Sequence, residues 1–205
     1  MNILSEIELD ALTEVFNVGA GRAAQSLSEI VGDGVRLSVP SIEILKSNEV
    51  NAKVLTLSHS RFATVSQFFT GPFDAEAVLL FTEDHALEIV RDMMGSQMSL
   101  EDLAEFEQEA MCELGNIILN ACMSAMSDML GIVLSSSLPS YLVSSPDDIS
   151  ERLVADSNDD AYVLVLHIDL MIEKRHTQGH LIFLLSSTSL NQLVTHIQRY
   201  LDSIP

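Results

Sequence analysis

A chain that repeats itself must fold as matching units, and this one repeats. Shifted by 99 positions, residues 10–40 lie over residues 109–139 with seven of thirty-one pairs identical. The identities are Ala11/Ala110, Glu14/Glu113, Asn17/Asn116, Ser28/Ser127, Gly32/Gly131, Ser38/Ser137 and Pro40/Pro139, and many other pairs exchange one apolar residue for another. A repeat of this length implies one structural unit used twice. Each copy opens on a long helical pattern with a capping signal before it, Ser5 with Glu8 in the first and Ser99 with Asp102 in the second. Gly32 and Gly131 supply the residue type that ends a helix in the left-handed conformation. Strand-like segments follow at 35–45, 52–59 and 75–81, and again at 132–143, 162–172 and 180–185. Shorter helices, about 83–94 and 188–201, close the copies. The pattern predicts an α+β fold: a pseudo-twofold repeat of helix, strands and helix forming one mixed or antiparallel sheet, with the two long helices on the outside. No Pro-, Gly- or Ser-rich linker divides the copies. Residues 1–205 are therefore expected to form a single domain of two repeats, about 1–98 and 99–205.

Composition narrows the partners. Ten Lys and Arg stand against 30 Asp and Glu, a formal charge of −20, while 47% of the residues are apolar. The apolar share excludes a disordered acidic tail. The charge disfavours nucleic acid and anionic membrane surfaces, so a protein partner with a basic rim is the better expectation. Glu6, Glu8 and Asp10 stand where an export signal needs positive charge. No apolar run approaches the ~20 residues of a membrane span, so a cytoplasmic protein is expected. Cys112 and Cys122 are ten positions apart on one helical pattern. That is roughly 15 Å along the axis, too far for a disulfide, and both are expected as buried thiols.

Around the first helix, Leu12, Val15, Gly19, Ala23, Leu27 and Ile30 form an apolar stripe, while Asp10, Glu14 and Asn17 share the opposite face. In the second, Met111, Leu114, Ile118, Cys122, Met126 and Met129 form the stripe, with Glu109, Glu113 and Asn116 turned away. Each copy thus carries a carboxylate and a carboxamide three residues apart on one exposed face. Such a pair is ordinary on one solvated helix. Asn is a mediocre helix former, however, and its recurrence at the same place opposite the core stripe points to a use. The pair offers no nucleophile with an adjacent base. It can orient a water and make an ion pair, which suits phosphoryl chemistry governed by positioning. A convex helix cannot enclose a small molecule, so the substrate is expected to be a protein.

The spacings Asp10-x3-Glu14-x2-Asn17-x22-Pro40 and Glu109-x3-Glu113-x2-Asn116-x22-Pro139 resemble the paired signatures of the CheC/CheX/FliY chemotaxis phosphatases. The flanking NVGAGRAAQSLSEIVG and ELGNIILNACMSAMSDMLG resemble the helices of that family, and the resemblance covers essentially the whole chain. It implies hydrolysis of the aspartyl phosphate on a CheY-like response regulator. Asn17 and Asn116 would align the attacking water, and Glu14 and Glu113 would pair with the regulator's lysine. Asp10, Pro40, Glu109 and Pro139 would support the motifs. The resemblance further implies no cofactor in this chain, Mg²⁺ being carried by the regulator, and a CheD-like protein as a second partner. Two departures stand out. Phe16 occupies the position before Asn17 where the family usually has glycine, close enough to obstruct docking or to add an apolar contact. Glu109 stands where the motif prefers Asp or Ser. The alternative function is a non-catalytic binding module or adaptor for a phosphorylated regulator or a CheD-like partner.

Other candidates read as structural. His176 and His180 have a ligand-like spacing, but Gln178-Gly179 between them suggests a hairpin turn, and no metal site is expected. The acidic segment 144–160 is expected to be a solvated loop with about one helical turn, since the ordered residue spacing of a calcium loop is missing. Gly19-Ala20-Gly21 lies inside a helical pattern and is no phosphate loop. Met93, Met94, Met98, Met111, Met123, Met126 and Met129 are expected to fill the core.

Overall fold

The computed structural model describes residues 4–46, 49, 61–94, 100–155, 162–172 and 175–203. Its elements in chain order are α1 (Glu6–Val31), β1 (Val35–Lys46), β2 (Phe62–Thr70), β3 (Ala75–Thr82), α2 (Glu83–Met94), α3 (Leu100–Leu130), β4 (Ser135–Ser136), β5 (Ser140–Ser144), α4 (Pro146–Ala155), β6 (Tyr162–Ile172), β7 (Arg175–Leu185) and α5 (Ser187–Ser203). The predicted strand at 52–59 and the predicted cap at Ser99 lie outside the described residues.

Local chemistry sets the helix ends. The Ser5 hydroxyl accepts the Glu8 N–H at 3.4 Å and the Glu8 carboxylate accepts the Ser5 N–H at 2.6 Å, a reciprocal capping box. The same carboxylate accepts from Gln198 Nε2 at 2.9 Å, which ties the start of α1 to α5. Gly32 and Gly131 end α1 and α3 at φ 74° and 65°, a conformation glycine takes without a Cβ penalty.

The seven strands form one antiparallel sheet in the order β1-β6-β7-β3-β2-β4, with β5 also pairing β2. This order reads alike from both ends. The opening strand of each repeat, β1 in the first and the split β4 and β5 in the second, lies against the other repeat: β1 pairs with β6, β4 and β5 pair with β2, and β7 meets β3 in the middle. Period-two alternation divides the side chains between the faces. Val35, Leu37, Ala77, Leu79, Leu164, Leu166, Leu181 and Phe183 share one core with α1, α2, α3 and α5. Val78, Leu80, Val163, Val165 and Ile182 gather in a smaller cluster with Ile149 of α4. No helix among the described residues is long and apolar enough to cross a membrane.

Several expectations are corrected. Gln178 and Gly179 make no turn: they pair with Asp169 and Ile168 inside β7, and the ladder runs on to Ile172 and Arg175. Glycine is needed there because a Cβ would fall 2.5 Å from the Phe81 ring. The expected loop after Ser144 contains the ten-residue α4, capped by Ser145 and Asp148 in a second reciprocal box and opened by Pro146. The expected strand at 132–143 is split into β4 and β5. Ile30 leaves the core stripe, at 44% exposed. Cys122 is buried as expected, its thiol pushed up to about 12 by burial, whereas Cys112 is only half-buried. Met111, Met123 and Met126 fill the core, but Met94 is exposed and Met93 half-buried; Met98 lies outside the described residues.

The long helices touch most closely at Gly19. A Cβ there would lie 2.5 Å from the Cys122 Cα and 3.1 Å from the Ala121 carbonyl oxygen, whereas one at Gly21 would meet nothing. Since backbone blocks the first position, Gly19→Ala should lower stability by about 1–3 kcal/mol, while Gly21→Ala should raise it by up to about 1 kcal/mol through helix propensity. Urea unfolding of the two variants checks both signs. Glu8 supplies a second prediction. Hydrogen bonds from Ser5, offset in part by burial, hold its carboxyl below the usual carboxylate range. Its contribution is therefore complete above the unfolded-state value and is lost as pH falls through the lower folded value. Glu8→Ala should cost about 1 kcal/mol at pH 7, and unfolding curves should show the variant losing less stability than the parent on acidification below about pH 5.

Candidate functional site

The two signatures are built on equivalent helices but present their side chains differently. On α1, Asp10 and Glu14 are exposed, while Asn17 is half-buried. Its carboxamide is committed to β1: Nδ2 donates to the Val39 carbonyl at 3.3 Å and Oδ1 accepts the Val39 N–H at 3.0 Å. Pro40 explains why those main-chain groups are available. Between the pairs Ser38/Asp169 and Ser41/His167, β1 carries one residue more than β6, a bulge at Val39-Pro40. Proline has no N–H for the ladder, and the Asn17 side chain satisfies the peptide groups of Val39 that the bulge turns away. Val39 is only 2% exposed. The conjecture about Phe16 is overturned. Its ring is fully buried, 5.3 Å from that of Phe183, so it neither obstructs nor extends a docking surface.

On α3 the same signature opens outward. Ser137 bonds to β2 instead: its N–H donates to the Phe68 carbonyl at 2.8 Å, its hydroxyl accepts the Phe68 N–H at 3.0 Å, and its carbonyl accepts from Gln67 Nε2 at 2.6 Å. Leu138 and Pro139 are left between β4 and β5, and Leu138, the counterpart of Val39, is 89% exposed. Asn116 therefore has no strand backbone to bind. Its Oδ1 accepts from Asn120 Nδ2 at 2.7 Å, and its Nδ2 has no hydrogen-bond partner among the described residues. Glu109, Glu113, Asn116 and Pro139 all line one groove of about 710 Å³, walled by Ile30, Met93, Met94, Phe106, Cys112 and Leu138. Glu109 and Glu113 are exposed, and neither pairs with a cation among the described residues. Close to the groove, Tyr141 donates to Glu107, which fastens β5 to α3, and burial pushes its phenol up.

The apolar wall is what sequence reasoning missed. Ile30, Met93 and Met94 fit the core periodicity of their helices, and only the packing of α1, α2 and α3 together leaves them at an edge. Chemically, the groove offers two carboxylates for a cation and a carboxamide for a water, beside an apolar shelf. The candidate histidines His176 and His180 lie elsewhere, on the sheet face away from the long helices. His176 Nε2 is 3.4 Å from Asp169, and His180 meets His167 edge-on at 4.9 Å. Burial and His167 push His180 down to about 4. Among the described residues no group of three His, Cys, Asp or Glu is arranged to hold a metal ion.

Comparison with known proteins points to the same family as the sequence resemblance. A model described as the CheC-like family matches residues 7–44, a span that takes in the first signature but not the second. The CheY-P phosphatase CheC of Bacillus subtilis is 27% identical over 150 residues, covering 67% of this chain and 67% of that protein. The flagellar motor switch phosphatase FliY of the same organism is 26% identical over 133 residues, 65% of this chain but only 32% of FliY. In fold, the chain is similar to Thermotoga maritima FliY, with a TM-score of 0.76 at 21% identity, covering 97% of this chain and 99% of that one. Family model, relatives and fold are together consistent with the CheC/CheX/FliY family, to which the paired signatures of α1 and α3 had already pointed.

Proposed function

We propose that this chain is a phosphatase for the aspartyl phosphate of a CheY-like response regulator, and that turnover belongs to the α3 site. The observation that carries this reading is the gathering of Glu109, Glu113, Asn116 and Pro139 along one open groove. The relatives named as CheY-P phosphatases supply the reaction class.

In the proposed reaction, a water oxygen attacks the phosphorus in line as the bond to the aspartyl oxygen breaks. That bond's electron pair returns to the aspartate carboxylate, the water's proton passes to solvent, and inorganic phosphate leaves. The carboxamide of Asn116 accepts an O–H of the water and fixes its lone pair toward phosphorus, a positioning effect rather than acid–base chemistry. Glu113 pairs with a lysine of the regulator and sets the docking angle. Ile30, Met94, Phe106 and Leu138 supply apolar contact around this polar centre. Mg²⁺ enters on the regulator as part of the substrate, and this chain contributes no cofactor. At α1 the Asn17 carboxamide already serves Val39, so the role of that residue is to hold the bulge.

Steady-state phosphate release from a phosphorylated receiver with Mg²⁺ separates the two sites. Asn116→Ala should lower kcat about 100-fold, roughly 2.7 kcal/mol of barrier. Asn17→Ala should change kcat by less than about threefold but lose about 1–3 kcal/mol of stability, because it strands two buried peptide groups. Stoichiometric protection of the receiver's phosphate, in place of repeated turnover, would contradict the enzyme reading and favour a binding module.

A further inference from the structure

The two repeats differ at one position that bears directly on the α3 site. Asn120 sits one turn after Asn116, and its counterpart in the first repeat is Gly21. The side-chain amide of Asn120 donates twice to the same residue, to the Asn116 carbonyl at 2.8 Å and to the Asn116 Oδ1 at 2.7 Å. One side chain thus grips both the main chain and the carboxamide of its neighbour. A mid-helix asparagine costs helix propensity relative to alanine, and here its amide lies along the helix surface rather than out in solvent.

The consequence is directional. A carboxamide oxygen has two lone pairs and its nitrogen two N–H donors. With one lone pair taken by Asn120, the Asn116 amide can no longer rotate freely or exchange its oxygen and nitrogen ends. The second lone pair and the Nδ2 donors are left for the groove. The first repeat fixes its amide by a different device, the Val39 backbone, which uses both ends of Asn17. Glycine at position 21 offers no side chain to release it. We infer that Asn120 is the positioning residue of the α3 site, holding the Asn116 carboxamide in the orientation that receives the attacking water. It acts through Asn116 and touches neither water nor phosphoryl group. Like-oriented amides are worth most where a reaction depends on alignment alone.

This inference rests on the phosphatase reading, and its test keeps the two apart. Asn120→Ala and Asn120→Gln are compared with the parent chain in steady-state phosphate release from a phosphorylated receiver with Mg²⁺. In parallel, the side-chain amide signals of the free proteins are followed by NMR after ¹⁵N-asparagine labelling. The alanine variant should lose about tenfold in kcat with KM within about twofold, the pattern of a misaligned rather than an unbound substrate. The glutamine variant, which keeps an amide donor, should recover most of that loss. In the alanine variant the Asn116 amide signals should move and broaden while those of Asn17 stay in place. Unchanged kcat in the alanine variant, a change confined to KM, or no rescue by glutamine would overturn the inference. A parent chain without turnover would defeat the phosphatase reading instead. In that case unmoved Asn116 amide signals in the alanine variant overturn the positioning itself, and displaced ones uphold it.

Discussion

The exchange of first strands between the repeats is the constraint on which the other features depend. Because β1 completes the second repeat's strands and β5 the first's, each Ser-x-Pro segment is delivered to an outer flank of the sheet, within reach of its own long helix. The same exchange brings α1 and α3 together over one face, close enough at Gly19 that no side chain fits between the backbones. A core of this kind cannot be divided at the repeat boundary without stripping β6 of β1 on one flank and β2 of β4 and β5 on the other.

Similar sequence on this frame does not produce equivalent sites. The difference begins in hydrogen bonding by the segment before each proline. In the first repeat β1 runs twelve residues along β6 and turns the Val39 peptide groups inward, where Asn17 must satisfy them. In the second repeat Ser137 spends its backbone and hydroxyl on Phe68 and Gln67, and the two residues after it are released outward. An unsatisfied buried peptide group costs about 1–3 kcal/mol, enough to decide which way an asparagine side chain turns. Asn17 therefore acts as a brace, while Glu113 and Asn116 line an open groove beside an apolar shelf.

Much of this was legible in the sequence, for identifiable reasons. The 99-residue repeat, the Ser5/Glu8 box, the two helix-ending glycines and the carboxylate–carboxamide pairs are local signals, and local signals survive folding intact. Where the reading went astray, the deciding contact was long-range or the signal was ambiguous. Gly179 resembled a turn, but glycine also marks close approach, and here Phe81 and the Leu80 carbonyl require it. The α4 helix was hidden by its acidic residues although Ser145-Pro146-Asp147-Asp148 carries a capping box. Helical angles put Phe16 near Asn17 without revealing that Phe183 would cover its ring. The apolar wall of the groove needed three helices in place before it existed.

The central claim is that the carboxamide of Asn116 meets the phosphorylated partner while that of Asn17 remains bound to Val39. Titration of the ¹⁵N-asparagine-labelled chain with a receiver carrying Mg²⁺ and beryllofluoride, a stable stand-in for its phosphoryl group, tests this most directly. The side-chain amide signals of Asn116 should shift with the receiver and those of Asn17 should not. A shift at Asn17 with Asn116 unmoved would contradict the account.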